Sequence, residues 1–249
     1  MKRALLIVSF GVTTKASREK TLDLYKREVE ASFPTYDVFV AYSSRRIIGK
    51  IKQREGISID HPLQALERLL ESNYDEILIQ PFSVICGETF KALEAYVKTY
   101  RDRVKLMKLV LPLLHGASDD GPLVNLLRQE VVLKDKEALV LVGHGIEGVE
   151  QASYGKLEKA LEALDVTVLL GTIKGHLTID HVNEKLRKKN VETVVLRPFL
   201  LTSGHHVTQD IKKTWVEGLE GRGFNVHVDL KPLGEYESIR QHFIHLMKE

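Results

Sequence analysis

The sequence predicts an α/β protein of two doubly wound domains, each built on a four-stranded parallel sheet. Three observations predict it. Strand-like apolar runs alternate with helical patterns along the whole chain, and such units pair their strands in parallel through right-handed crossovers. Eight strand–helix units occur, a number that a closed (β/α)8 barrel would also satisfy. An internal repeat favours two sheets of four: EILIQPFSVICGETF in the first half matches TVVLRPFLLTSGHHV in the second, and LLIVSFG echoes LVLVGHG. The repeat pairs Gln80-Pro81-Phe82 with Arg197-Pro198-Phe199, and Gly87 with Gly204. The domains are expected over 1–133 and 134–249, joined by a short linker near Lys134-Asp135-Lys136.

The first strand is expected over 4–9. A helix over 17–32 follows, with Ser17 able to cap it and Glu19 in its first turn, where negative charge is favoured. The second strand spans 36–42. A helix over 62–72 carries Leu63, Leu66, Leu69 and Leu70 on one face. Then come a strand over 76–80, a helix over 88–100, a strand over 104–111 and a helix over 121–133. In the second half, strands are expected over 138–142, 166–170, 193–197 and 224–228. Helices are expected over 149–164, 177–188, 207–219 and 235–247. The run 138–142, five apolar residues closed by Gly143, reads as a strand buried on both faces.

Length and composition set the bounds. The 249 residues suffice for two modest domains. A net charge of +2 gives no nucleic-acid footprint. The single cysteine, Cys86, excludes an intrachain disulfide and a multi-cysteine zinc site, and suits a reducing cytoplasm. The apolar run near the N-terminus is too short for a signal peptide, and no window approaches a membrane span. A cytoplasmic protein with no membrane and no nucleic-acid partner is expected. A homo-oligomer is compatible with the sequence.

Three groups of polar residues fall at strand carboxyl ends, the edge where open α/β sheets bind ligands. His144 follows the fifth strand, between two glycines that let the chain turn sharply. Glu88 follows the third strand, at a helix start after Gly87. His205 and His206 follow the seventh, after Gly204. Two imidazoles and a carboxylate suit a divalent first-row transition metal such as cobalt, nickel, iron or zinc. Taken singly, each histidine reads as readily as a surface or capping residue; their placement at equivalent edges argues for a shared role. His61, His115, His176, His181, His227, His242 and His245 lack such a setting. A nucleophile elbow and a Walker A loop are both missing.

The segments VGHGIEGVEQASY, LGTIKGH and RPFLLTSGHHVTQDI, with the opening VSFGVTTKASREKTLDLYKREVEASFP and AYSSRRIIGKI, resemble the anaerobic sirohydrochlorin cobaltochelatases of cobalamin biosynthesis. The resemblance spans nearly the whole chain, in the family's order. It implies a ferrochelatase-like fold, two doubly wound domains related by a pseudo-twofold with a tetrapyrrole cleft between them. It implies Co2+ insertion into sirohydrochlorin without ATP, with Co2+ as substrate metal and no organic cofactor. By the same resemblance His144, His206 and Glu88 are the catalytic and metal-binding residues. Arg45, Lys174 and the turn Ser9-Phe10-Gly11 are assigned to substrate binding. Three positions depart from the family's usual pattern: Lys174 stands where many members carry a carboxylate, Ser83 where a histidine is usual, and His205 where Asp is common.

An imidazole titrates near pH 6.5, so a neutral histidine can take a pyrrole proton or hold a metal through its lone pair. His144 is expected as main base and ligand, His206 as second ligand, and Glu88 as carboxylate ligand or proton acceptor. Arg45, Arg46, Lys174 and Arg18 are expected to pair with the carboxylates on the macrocycle's rim. The alternatives are a non-catalytic tetrapyrrole or metal carrier, and a chelatase for Fe2+ or Ni2+.

Overall fold

The structure, a computed structural model, describes residues 1–114, 123, 124, 127, 131–145, 151–202, 204, 209 and 211–249. Contacts divide the chain into two units: Met1–His115 with Arg240–Glu249, and Gly116–Ile239. Each holds one four-stranded parallel sheet.

In the first unit, β1 (Arg3–Ser9), β2 (Asp37–Tyr42), β3 (Glu76–Pro81) and β4 (Leu106–Leu109) lie in the order β2-β1-β3-β4. Between them run α1 (Lys15–Lys20), α2 (Leu22–Ser32), α3 (Arg45–Glu55), α4 (Pro62–Glu71) and α5 (Glu88–Tyr100). The second unit has β5 (Glu137–Gly143), α6 (Gln151–Glu162), β6 (Val168–Thr172), α7 (Ile179–Lys188), β7 (Thr193–Pro198), a π-helical turn Ile211–Val216 running into α8 (Glu217–Glu220), and β8 (Asn225–Val228). Its order, β6-β5-β7-β8, is that of the first unit. The helix α9 (Glu237–Lys248) ends the chain.

Both central strands are buried throughout after their first residue. Their Val, Leu and Ile side chains therefore fill the layers above and below each sheet. One layer of the first unit joins Leu6 and Ile79 to Leu66, Leu69 and Leu93. The matching layer of the second joins Val140 and Leu196 to Val182, Leu186 and Trp215. The repeat read from sequence is a repeat of register. Val8 pairs with Pro81 and Val142 with Pro198. The Phe82 N–H donates to the Val8 carbonyl at 2.7 Å, and the Phe199 N–H to the Val142 carbonyl at 2.8 Å.

The structure differs from expectation in four places. The helix expected over 17–32 breaks at Thr21, whose buried hydroxyl donates back to the Ser17 carbonyl at 2.6 Å, a bond that bends helices. Residues 45–55, for which no element is expected, form α3: Ser44 caps it by accepting the Ile47 N–H at 3.4 Å, and left-handed Gly56 stops it. The helix expected over 121–133 does not reach its end: Val131, Val132 and Leu133 are not helical, and Val132 is exposed; of residues 121–130, Leu123, Val124 and Leu127 are described, helical and buried, and the others lie outside the described residues. Finally, the division at 115/116 with the return of 240–249 departs from the expected 1–133 and 134–249. Phe243 of α9 packs on Phe82 and Tyr25, with ring centroids 4.9 and 6.0 Å away. Arg240 grips Glu28 through bonds of 2.8–2.9 Å. The last helix therefore completes the core of the first unit.

Candidate functional site

With order β6-β5-β7-β8, the chain leaves β5 for one side of the sheet and returns on the other. The crevice at the carboxyl ends of β5 and β7 is the switch point where doubly wound sheets bind ligands. His144 stands there, exposed, between buried Gly143 and Gly145. The turn is clamped by the loop after β6. The N–H of Ile173 donates to the Gly143 carbonyl and that of Lys174 to the His144 carbonyl, both at 3.0 Å. Gly145 has φ +71, and a Cβ there would lie 1.9 Å from the Lys174 carbonyl oxygen; only glycine fits. A Cβ on Gly143 would touch the Tyr154 ring at 3.0 Å. Burial pushes the Tyr154 hydroxyl up to about 12, against a backbone hydrogen bond with Gly145 that lowers it. Tyr154 is thus a neutral floor beneath the turn.

The His144 Nδ1 lies 3.1 Å from the Gly145 carbonyl oxygen. A carbonyl only accepts, so this contact selects the tautomer with its proton on Nδ1. Nε2 then keeps its lone pair, the form in which a histidine binds a metal or takes a proton.

Glu88 opens α5, at the carboxyl side of β3 in the first unit, where a carboxylate suits the positive end of the helix. Its side chain is almost fully exposed, 3.6 Å from Lys91. His205 and His206 lie outside the described residues. Among the described residues, no three His, Cys, Asp or Glu side chains gather as a metal site. Lys174 and His144 are brought together through the backbone.

The substrate-binding candidates divide. Ser9 is buried, and its Oγ accepts the Gly11 N–H at 3.3 Å. Gly11, at φ +95, has no room for a Cβ, which would lie 2.6 Å from the Tyr42 ring. Both shape the turn, and Phe10 between them is 67% exposed. Arg45 and Arg46 are exposed at the start of α3. Arg18, expected at the rim, is instead buried in a bidentate pair with Glu55. Hydrogen bonds from Arg18 and Arg54 hold the Glu55 carboxyl down at about 2 despite the opposing effect of burial. Among the described residues no helix is long and apolar enough to cross a membrane.

The fold matches that of a solved structure, "SirB from Bacillus subtilis with Fe3+", with a TM-score of 0.67 at 16% identity over 100% of this chain and 95% of that one. By class, then, this is an α/β protein with two parallel sheets in that same fold. The family model described as "Cobalt chelatase (CbiK)" matches residues 3–249. The "Sirohydrochlorin cobaltochelatase" of Salmonella typhimurium is 32% identical, over 98% of this chain and 94% of its own. The "Sirohydrochlorin cobaltochelatase CbiKC" of Nitratidesulfovibrio vulgaris is 29% identical, over 95% and 86%. The chain belongs to the cobalt chelatase family.

Proposed function

We propose that this chain inserts Co2+ into sirohydrochlorin without ATP, as a cytoplasmic cobaltochelatase. Family membership supports the reaction. The observation that carries the chemistry is the clamped Gly-His-Gly turn, which presents an exposed imidazole with a free Nε2 lone pair at a sheet switch point. A divalent ion entering the macrocycle displaces two pyrrole protons, so the site must hold a metal and remove protons at one place. In this reading His144 does both in turn: Nε2 holds Co2+ as substrate, then takes a pyrrole proton as the metal passes to the ring nitrogens. His206 is the second ligand. Glu88, near the carboxyl end of β3, is a further ligand or the proton acceptor. Arg45 and Lys174 pair with rim carboxylates, as point-charge or forked donors do.

The test is an anaerobic insertion assay with sirohydrochlorin and Co2+, Fe2+ or Ni2+, with ATP left out. Multiple turnovers with Co2+ are expected, and the His144→Ala variant is expected to lose them with an unchanged circular dichroism spectrum. Binding of the macrocycle without turnover would make the chain a carrier. Faster turnover with Fe2+ or Ni2+ would reassign the metal.

A further inference from the structure

The edge strand β6 is buried at every one of its residues. Its counterpart in the first unit, β2, is exposed or half-buried from Asp37 to Val40. In the second unit the flanking helices meet round the edge. α7 packs in the layer of Leu169 and Trp215 through Val182 and Leu186. α6 leads from β5 outward to β6, so a right-handed crossover places it on the opposite face. Both helices pack on β6, and charged side chains join them. Glu158 of α6 is the centre of that junction: its Oε1 accepts the His181 Nε2–H at 2.6 Å and the Lys185 ammonium at 2.9 Å. Lys185 also reaches Glu162 at 2.5 Å. A carboxylate only accepts, so His181 carries its proton on Nε2. Burial pushes the Glu158 carboxyl up, but hydrogen bonds from Lys185 and His181 outweigh it and keep it below the usual carboxylate range.

This junction ties together the two pieces that hold the His144 turn. One helical turn before Glu158 stands Tyr154, buried beneath Gly143 and hydrogen-bonded to the Gly145 backbone. On α7, the His181 N–H donates to the Thr178 hydroxyl at 3.3 Å, which caps the helix. Just before that cap, the Leu177 carbonyl accepts the Thr172 N–H at 2.8 Å and closes the loop after β6. The same loop supplies the Ile173 and Lys174 N–H groups that clamp the turn. The floor and the clamp thus belong to helices on opposite faces of the sheet, and Glu158 links those helices. Glu162 lies one helical turn further from Tyr154.

We infer that Glu158 is a positioning residue for His144: by binding His181 and Lys185 it fixes the Tyr154 floor and the loop clamp against each other, and so sets the turn that selects the tautomer of the imidazole. The inference rests on the proposed function, in which His144 holds Co2+, and its test also reads His144 without metal. Long-range proton–nitrogen NMR spectra of the metal-free protein report the tautomer of each imidazole, with His144 assigned by its loss in His144→Ala. Co2+ alone is titrated calorimetrically into wild type, Glu158→Ala, Glu158→Gln, His181→Ala and Glu162→Ala.

In Glu158→Ala, His144 is expected to lose its preference for the Nδ1–H tautomer and to bind Co2+ about tenfold more weakly, as when a group that orients a ligand is removed. His181→Ala is expected to move both readouts the same way. Glu158→Gln keeps an oxygen that accepts both bonds, and is expected to stay near wild type. Glu162→Ala leaves Glu158 in place and is expected to match wild type. A wild-type tautomer and Co2+ affinity in Glu158→Ala, or in His181→Ala where Glu158→Ala does not fold, overturn the inference. So does an equal loss in Glu162→Ala, which would mark a general loosening of the two helices. A wild type that binds no Co2+ refutes the metal role of His144, and the tautomer spectra then decide the role of Glu158 by themselves.

Discussion

At the scale of single residues, the candidate site depends on backbone geometry as much as on the imidazole. Gly145 lies in left-handed backbone against the Lys174 carbonyl. Gly145→Ala is expected to lower stability by about 1–2 kcal/mol from the backbone alone, with more from the displaced loop, and to reduce cobalt insertion because the His144 turn moves. Urea denaturation and the insertion assay check the two effects. Lys174 has two separable roles. Its N–H and carbonyl build the turn whatever the side chain, so Lys174→Glu is expected to fold normally. The ammonium repels a cation and attracts a carboxylate, so that variant is expected to bind Co2+ more tightly when empty and the macrocycle less tightly. Unchanged calorimetry for both ligands would remove the side chain from the site. His144 was legible because glycines flank it at the end of an apolar run. The structural use of Lys174 was not, because a contact made by a carbonyl oxygen leaves no mark on residue type. Glu88 was legible as the first residue of a helix, because Gly87 ends the run before it.

At the scale of elements, the strands and their division into two parallel sheets of four followed from the buried runs and the repeat, whereas two helical details did not. α3 buries only Ile51 fully, so its apolar stripe is too thin to stand out among the surrounding charges, and its Ser44 and Gly56 signals were passed over. The break at Thr21 depends on a buried hydroxyl, and threonine in a helical pattern does not announce burial. α3 is tied to α1 by Arg18 and Glu55, and this link is sensitive to acid. The Glu55 carboxyl ionises near 4.5 in the unfolded chain and about 2 in the folded one. Its contribution is therefore complete above about pH 4.5 and is lost as the pH falls towards 2. Wild type is expected to be more stable than Glu55→Gln at pH 6, with the gap closing between pH 4.5 and 2; urea midpoints across that range check it. In α9, Phe243→Ala removes a fully buried ring from its place against Phe82 and Tyr25 and is expected to cost about 3–5 kcal/mol.

At the scale of the whole molecule, the duplicated unit was readable because Pro81-Phe82 and Pro198-Phe199 hold the same register on the central strands. The division of the chain was not, because the last ten residues belong to the first unit and nothing in an amphipathic helix states which core it covers. Truncation after Ile239 is expected to leave Tyr25 and Phe82 without their cover and to move the protein from the soluble fraction to the pellet; fractionation of expressed protein checks it. The same return of α9 sets a schedule for synthesis. The first unit leaves the ribosome first yet cannot finish folding until the 134 residues after His115 have been made. At about 5–20 residues per second it waits roughly 7–27 s with Tyr25 and Phe82 uncovered. During that wait the two rings are exposed to chaperones and to other nascent chains, so the protein's yield in a cell is governed in part by how fast its second half is translated.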